Sequence, residues 1–214
     1  MSKEGRRIGW LAWGGLVLIT GTLGLAFLLA QLKTRMVKPL PILGTVADFH
    51  LTNQLGQAVS LAELRGHVWI ADFIFTRCPG PCLKMTRQMK ELPLPATSRA
   101  LRVTLTTDPE FDTPPVLKTY GERFGADPGR WLFLTGPKAE VSRLGVDSLK
   151  LAAVEKKPEE RETPSDLFIH ATLFVLVDKQ GRIRAFYETT GEGIDPDHVK
   201  GQIARAARQL EREK

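Results

Sequence analysis

The sequence has no concentrated positive charge, and this absence excludes one class of function. Its net charge of +6 is spread over 214 residues, without a basic run or basic residues interleaved with aromatic ones. Nucleic-acid binders carry such patches, so we interpret the basic residues as solvated surface and exclude nucleic acid as a partner. The chain also lacks internal repeats and low-complexity tracts. After any membrane anchor is subtracted, the remaining length fits one domain of ordinary size.

Charge is missing altogether from residues 8–32, where Leu, Ala, Val, Ile, Phe and Trp dominate. Such a length is enough for a tilted transmembrane helix, with Trp10 and Trp13 at one interface. A cleaved signal peptide is the competing interpretation, but no clear small-x-small cleavage site follows. No cysteine follows either, which excludes lipoprotein processing. We therefore predict an uncleaved single-pass anchor, whose orientation the balanced basic flanks do not determine.

The anchor sets the predicted domain organisation. A short tail, 1–7, precedes it, and a linker containing Pro39, Pro41 and Gly44 occupies 33–45. Residues 46–214 then form the soluble domain.

Cysteine is scarce as well, and the only two lie close together. Cys78 and Cys82 follow an apolar strand over 67–75 and precede an amphipathic segment. Pro79 and Pro81 both suit the first turn of a helix, where a missing amide donor costs nothing. If the helix begins at Cys78, then Cys82 lies one turn later on the same face.

A helix N-terminus affects the chemistry of such a thiol pair. Its partial positive charge, with Arg77 and Lys84 nearby, predicts that both thiols ionise more readily than an ordinary cysteine. The pair can then form a reversible disulfide, hold a soft metal, or do both by turns. A purely structural disulfide is disfavoured because so short a loop adds little stability.

The rest of the pattern predicts an α/β domain with a central mixed sheet flanked by helices and an N-terminal hairpin around Gly56. Further strands are predicted over 101–106, 131–134, 168–177 and 182–187. Helices are predicted from Cys78 to Met89, from an N-cap at Asp112 or Thr113 to near Gly125, over 141–154 and over 196–213. Ligands gather at the carboxyl ends of parallel strands, so Cys78 and Asp108 should share one rim. Asp112 and Thr113 are interpreted as helix caps, and Met85 and Met89 as core.

Four segments of the chain carry a resemblance to a known family. They are Thr76-Arg77-Cys78-Pro79-Gly80-Pro81-Cys82, the run from Asp108 to Leu117, Trp131 to Thr135, and His170 before a strand that ends in Asp178-Lys179-Gln180-Gly181. Together they resemble the SCO/SenC family. The resemblance covers nearly the whole soluble part. It implies a thioredoxin-like fold and a membrane-anchored copper protein that helps to assemble the binuclear copper centre of cytochrome c oxidase. The implied partners are the copper-receiving oxidase subunit and other copper chaperones, on the extracytoplasmic (periplasmic) side.

The resemblance also implies that Cys78, Cys82 and His170 bind copper. Two thiolates and one imidazole suit Cu(I), and a further oxygen ligand or water would accommodate Cu(II). Asp108 could orient His170, act as a weak ligand or tune the thiols, or it could be a turn residue.

The competing function is thiol-disulfide exchange, in which Cys78 attacks a substrate disulfide and Cys82 resolves the mixed intermediate. Thioredoxins usually have two residues between their cysteines and a proline facing them. This chain has three intervening residues, and His170 stands where that proline is expected, which favours metal binding. A peroxidase is less favoured because it would need only one cysteine.

Overall fold

The computed structural model describes residues 13, 15–27, 38–78, 80–151, 153–155, 168–170 and 172–213, with backbone alone for 153–155 and 168–170. These residues belong to two compact units, Met1–Pro39 and Leu40–Lys214. In the first unit, residues 15–27 form helix α1. Within the described part of the chain, no helix combines the length and the apolar character that crossing a membrane needs. The predicted anchor over 8–32 lies partly outside the described residues.

The described residues of the second unit form ten strands in two sheets. The strands are β1 Gly44–Thr45, β2 His50–Asn53, β3 Ala58–Ser60, β4 Trp69–Ile74, β5 Leu101–Thr106, β6 Trp131–Thr135, β7 Ala153–Glu155, β8 Phe168–His170, β9 Leu173–Val177 and β10 Arg182–Glu188. Eight of them form one sheet in the order β1-β10-β9-β4-β5-β6-β2-β3, while β7 and β8 form a separate pair.

The large sheet mixes parallel and antiparallel pairs, as predicted. Strands β4, β5 and β6 are parallel neighbours, whereas β9 runs antiparallel to β4. The predicted hairpin is confirmed as β2 and β3, with Gly56 at φ 78°, and it joins the sheet through β6. Parallel β4 and β5 therefore end at the same edge, where both the cysteine turn and Asp108 begin.

Helices cover both faces of this sheet. They are α2 Leu61–Leu64, α3 Pro81–Lys90, α4 Pro114–Arg123, α5 Lys138–Ser142 with a π-helical continuation Arg143–Ser148, and α6 Pro196–Arg212. One core cluster packs Ile70 and Ile74 of β4 against α3, α4 and α6, and a second packs Ala71 and Phe73 beneath α5 and the π-helical turn. Every residue of β4 is buried, as expected for a strand covered on both faces.

The predicted helix over 141–154 is wrong in both of its bounds. It begins at Lys138 and ends with the π-helical turn at Ser148, and Lys150 then adopts φ 60°. Gly145 lies against Phe73, so that a Cβ atom there would come within 2.4 Å of the ring. The chain then continues into β7, which includes Val154, because that segment pairs with β8.

The predicted single strand over 168–177 is two strands with different partners. Strand β8 pairs antiparallel with β7, in the register Ala153 to His170. Strand β9 pairs instead with β4 and β10 in the large sheet. His170 therefore lies in the two-stranded sheet of β7 and β8, not in the large sheet.

Candidate metal centre

The cysteine turn connects the carboxyl end of β4 to the start of α3. The backbone N–H of Cys78 donates to the Phe75 carbonyl at 3.2 Å, which closes the turn after the strand. Helix α3 begins at Pro81, with Gly80 as its N-cap residue, so a helix start at Cys78 is wrong. Gly80 has φ −132° and ψ −93°, outside the helical region, which delays the helix by three residues. Cys82 is thus in the first helical turn and Cys78 precedes it.

Both cysteines are thiols rather than a disulfide, and both are buried. Cys78 is 7% exposed and Cys82 is 0% exposed. The Cys82 thiol is hydrogen-bonded to Cys78. The two sulfurs are therefore adjacent in the fold, as a shared metal site or a reversible disulfide requires.

Burial changes the acidity of the Cys82 thiol. Desolvation is the largest of the effects that raise the pKa of Cys82 above the ordinary thiol value. The hydrogen bond to Cys78 and the repulsion by a negatively charged Cys78 raise it further. The expectation that both thiols ionise readily is therefore wrong for Cys82, because burial outweighs the helix N-terminus. A soft cation bound to the pair would take the place of this proton.

His170 lies in β8, where the structure describes its backbone alone. Its side chain is outside the described residues, so its role as a third ligand stays a prediction. Among the side chains that the structure does describe, no group of three or more His, Cys, Asp or Glu is placed to hold a metal ion.

Asp108 lies beside the cysteine turn, at the rim shared by β4 and β5. Its carboxylate accepts hydrogen bonds from the Arg77 side chain, with Nε at 3.2 Å and Nη2 at 2.5 Å. The same guanidinium lies over the Phe111 ring, 4.2 Å from its centroid. Since Arg77 directly precedes Cys78, Asp108 contacts the turn through this arginine.

Asp112 has a structural role that the sequence pattern did not indicate. Asp112 and Thr113 were the two predicted N-cap residues of the helix that follows, and Thr113 takes that position in α4. Asp112 is fully buried and accepts hydrogen bonds from the N–H and hydroxyl of Thr76 and from the Thr106 hydroxyl. Burial raises the pKa of this carboxyl, against the opposing effect of these hydrogen bonds. Asp112 thus links Thr76, two residues before Cys78, to Thr106 at the end of β5.

Three buried polar residues, Thr86, Tyr120 and Asp72, lie near Cys82. The Thr86 hydroxyl donates to the Cys82 carbonyl at 2.8 Å and is 2.9 Å from the Tyr120 hydroxyl. Asp72, fully buried in β4, raises the pKa of both Cys82 and Tyr120 through its negative charge, although burial is the main cause for each. The sequence signal was available, since Asp72 is the one charged residue inside the apolar run that leads to Cys78.

The two methionines of α3 have no exposure to solvent. Met85 and Met89 are 0% exposed and belong to the core cluster that includes both cysteines. Their predicted role as core residues is confirmed.

Residues 42–208 match the family model described as SCO1/SenC. The chain belongs to this family. A curated relative, the SCO1 protein homolog of Bacillus subtilis, is 37% identical over 171 residues, which cover 78% of this chain and 85% of the relative. This membership confirms the resemblance on which the copper site was predicted.

Solved structures of Sco proteins share the fold. A SCO1/SenC family lipoprotein from Bacillus anthracis is 28% identical with a TM-score of 0.65, over 81% of this chain and 97% of that one. BsSco, a member of the Sco family of cytochrome c oxidase assembly proteins in which a disulfide switch was identified, is 30% identical with a TM-score of 0.63, over 81% and 99%. These matches support the predicted thioredoxin-like fold.

Copper is the metal found in structures of this family. The structure of Bradyrhizobium japonicum ScoI contains bound copper, and this chain matches its fold with a TM-score of 0.61 and 23% identity, over 78% of this chain and 99% of that one. The adjacent sulfurs of Cys78 and Cys82 fit such a metal, because thiolates are soft ligands that select Cu(I).

Proposed function

We propose that this chain is a membrane-anchored copper-binding accessory protein that delivers copper to the binuclear copper centre of cytochrome c oxidase, or prepares the cysteines of that centre. The observation that carries the proposal is the contact between two buried thiols, Cys78 and Cys82, at one rim of the sheet in an SCO1/SenC protein. Copper is the cargo, and the partners are the copper-receiving oxidase subunit and other copper chaperones.

In this proposal Cys78, Cys82 and His170 are the copper ligands. The two sulfurs are adjacent, with Cys78 in the turn before α3 and Cys82 in the first turn of α3. His170 would complete the site from β8. Two thiolates and one imidazole leave the metal low-coordinate, so an incoming thiolate can bind before one of the original ligands leaves. Delivery would then proceed by stepwise ligand exchange.

The proposed membrane attachment uses the uncharged stretch 8–32. Its length and composition suit an anchor, and the structural relative from Bacillus anthracis is named a lipoprotein. Residues 33–45 would act as the linker, and the domain over 46–214 would lie on the extracytoplasmic side, where the copper centre of the oxidase is accessible.

The same thiol contact supports a second candidate, a thiol-disulfide oxidoreductase. Formation of a Cys78 to Cys82 disulfide releases two electrons and two protons to an oxidised partner, and the reverse reaction reduces one. The disulfide no longer offers two thiolates, so the redox state of the pair would determine whether copper can bind. Both reactions use the same two sulfurs, and only copper binding requires His170.

Metal analysis and a reductase assay on the reduced full-length chain test the proposal. We expect one copper ion per chain, much weaker binding in His170→Ala, and little insulin reduction by either protein. His198→Ala is the matched control, because His198 is exposed at the start of α6 and contacts Gln202. Rapid insulin reduction that does not depend on His170, with no stoichiometric copper, would instead support the oxidoreductase.

A further inference from the structure

Gln88 is a buried polar residue on the helix that carries Cys82. It is 5% exposed, and the core methionine Met89 follows it directly. A buried amide lowers stability unless it makes a hydrogen bond.

The Gln88 amide binds the chain immediately after β10. Its Nε2 donates to the Thr189 carbonyl at 2.9 Å, and this is a bond between side chain and backbone across 101 residues of sequence. Its Oε1 has no hydrogen-bond partner among the described residues. The single bond to Thr189 is thus the contact that this amide makes in the described structure.

Thr189 in turn holds the residue that precedes β9. Its N–H and its hydroxyl both donate to the Thr172 carbonyl, at 3.0 and 3.1 Å. This pair of bonds extends the β9 and β10 ladder by one step beyond its last registered pair, Leu173 with Glu188. Thr189 is itself 3% exposed, so the connection is inside the protein.

Thr172 is two residues from His170. The series Gln88, Thr189, Thr172 therefore runs from the cysteine helix to the point where the chain leaves β8 and enters the large sheet. Since β8 is paired only with β7 among the described strands, this series anchors the chain two residues after His170 to the helix of Cys82.

We propose that Gln88 is a positioning residue for the third copper ligand. By holding Thr189, and through it Thr172, Gln88 fixes the chain two residues after His170, at the entry to β9, relative to α3. The inference rests on the proposed function, because it takes His170 as a ligand. Gln88 then affects copper binding by His170 but does not affect the contact between the sulfurs of Cys78 and Cys82.

The test compares Gln88→Met with the wild-type full-length chain. Methionine keeps the approximate volume and removes the donor. We expect Cu(I) affinity, measured by competition with a chromophoric chelator, to fall about tenfold, which is the lower end of the effect of residues that support metal ligands. The nitrogen contribution to the electron paramagnetic resonance spectrum of the Cu(II) form should weaken in parallel.

Gln54→Met is the matched control. Gln54 is 4% exposed and makes two backbone hydrogen bonds, to Trp131 and Phe133, in the β2 to β3 turn. We expect Gln54→Met to lower stability without changing copper affinity or the spectrum. Thr189→Val, which removes the hydroxyl alone, provides a milder variant with a smaller loss of affinity in case Gln88→Met does not fold.

A double-mutant cycle with His170→Ala decides the outcome. If Gln88 acts through His170, then Gln88→Met should change copper affinity less than about twofold in the His170→Ala background. If His170→Ala weakens copper binding but Gln88→Met and Thr189→Val do not, the inference is wrong and the proposed function stands. If His170→Ala binds copper as tightly as the wild type, the proposed function fails and the inference fails with it.

Discussion

The two segments that carry the candidate ligands differ in how they are held. The cysteine turn joins a central strand of the eight-stranded sheet to a helix whose inner face is buried, and Asp112 ties Thr76 of this turn to β5. The His170 strand belongs to a two-stranded sheet, and its described tie to the core runs through Thr172. The sulfur pair is thus assembled by the central sheet and its helix, whereas the backbone of His170 belongs to a separate pair of strands.

This difference indicates how the work of the site is divided. A preorganised pair of ligands provides most of the metal affinity, because little conformational entropy is lost when the metal binds. A ligand on a separate element can be added or withdrawn without disturbing the pair. Such an arrangement suits a protein that has to release its metal to a partner.

The largest expected effect comes from removing either sulfur. We expect Cys82→Ser and Cys78→Ser each to lower Cu(I) affinity by at least about a hundredfold, since even residues that only support ligands cost up to that amount. Chelator competition measures both. His170→Ala should cost less than either serine variant, and an equal cost would contradict the division between a preformed pair and an added histidine.

The next effect concerns the tie that holds the cysteine turn. We expect Asp112→Asn to lower the free energy of unfolding by about 1–3 kcal/mol, because a buried acceptor of three hydrogen bonds is disturbed. Urea unfolding of the reduced protein at neutral pH measures this change. An unchanged midpoint would show that the turn does not depend on Asp112.

The stability difference between wild type and Asp112→Asn should also depend on pH. Burial raises the pKa of Asp112 above 3.8. The stability contributed by this carboxyl is therefore complete below pH 3.8, and it declines as the pH rises through the folded-state pKa. Urea unfolding of both proteins from below that pH to neutral pH should show the difference shrinking. A difference that grows instead would mean that the hydrogen bonds to Asp112 outweigh its burial.

The smallest expected effect is at the exposed side of the same turn. Arg77 pairs with Asp108, but the Arg77 side chain is 43% exposed, so solvent screens the pair. We expect Arg77→Ala to change the free energy of unfolding by less than about 1 kcal/mol. If Arg77→Ala lowered the free energy of unfolding as much as Asp112→Asn does, the exposed ion pair would stabilise the turn as much as its buried contacts do.

Features set by neighbouring residues could be predicted from the sequence. The strand before Cys78, the hairpin at Gly56 and the last helix were all anticipated, because each has a local pattern of apolar residues and turn or capping residues. The last helix, for example, begins at Pro196, where Asp195 accepts hydrogen bonds from two backbone N–H groups.

Features set by distant partners could not be predicted in this way. The break between β8 and β9 depends on β7, and the tie made by Asp112 depends on Thr76, which is 36 residues away. The raised pKa of Cys82 depends on the core that closes over it. None of these contacts leaves a periodic trace in the residues themselves.

The unequal exposure of the two cysteine residues determines which of them a reagent reaches first. Cys82 has no surface that a reagent can reach, while Cys78 retains a small one. An alkylating electrophile or an attacking thiolate from a second protein will therefore meet Cys78 first. In the proposed copper transfer, an incoming thiolate would therefore displace Cys78 before Cys82.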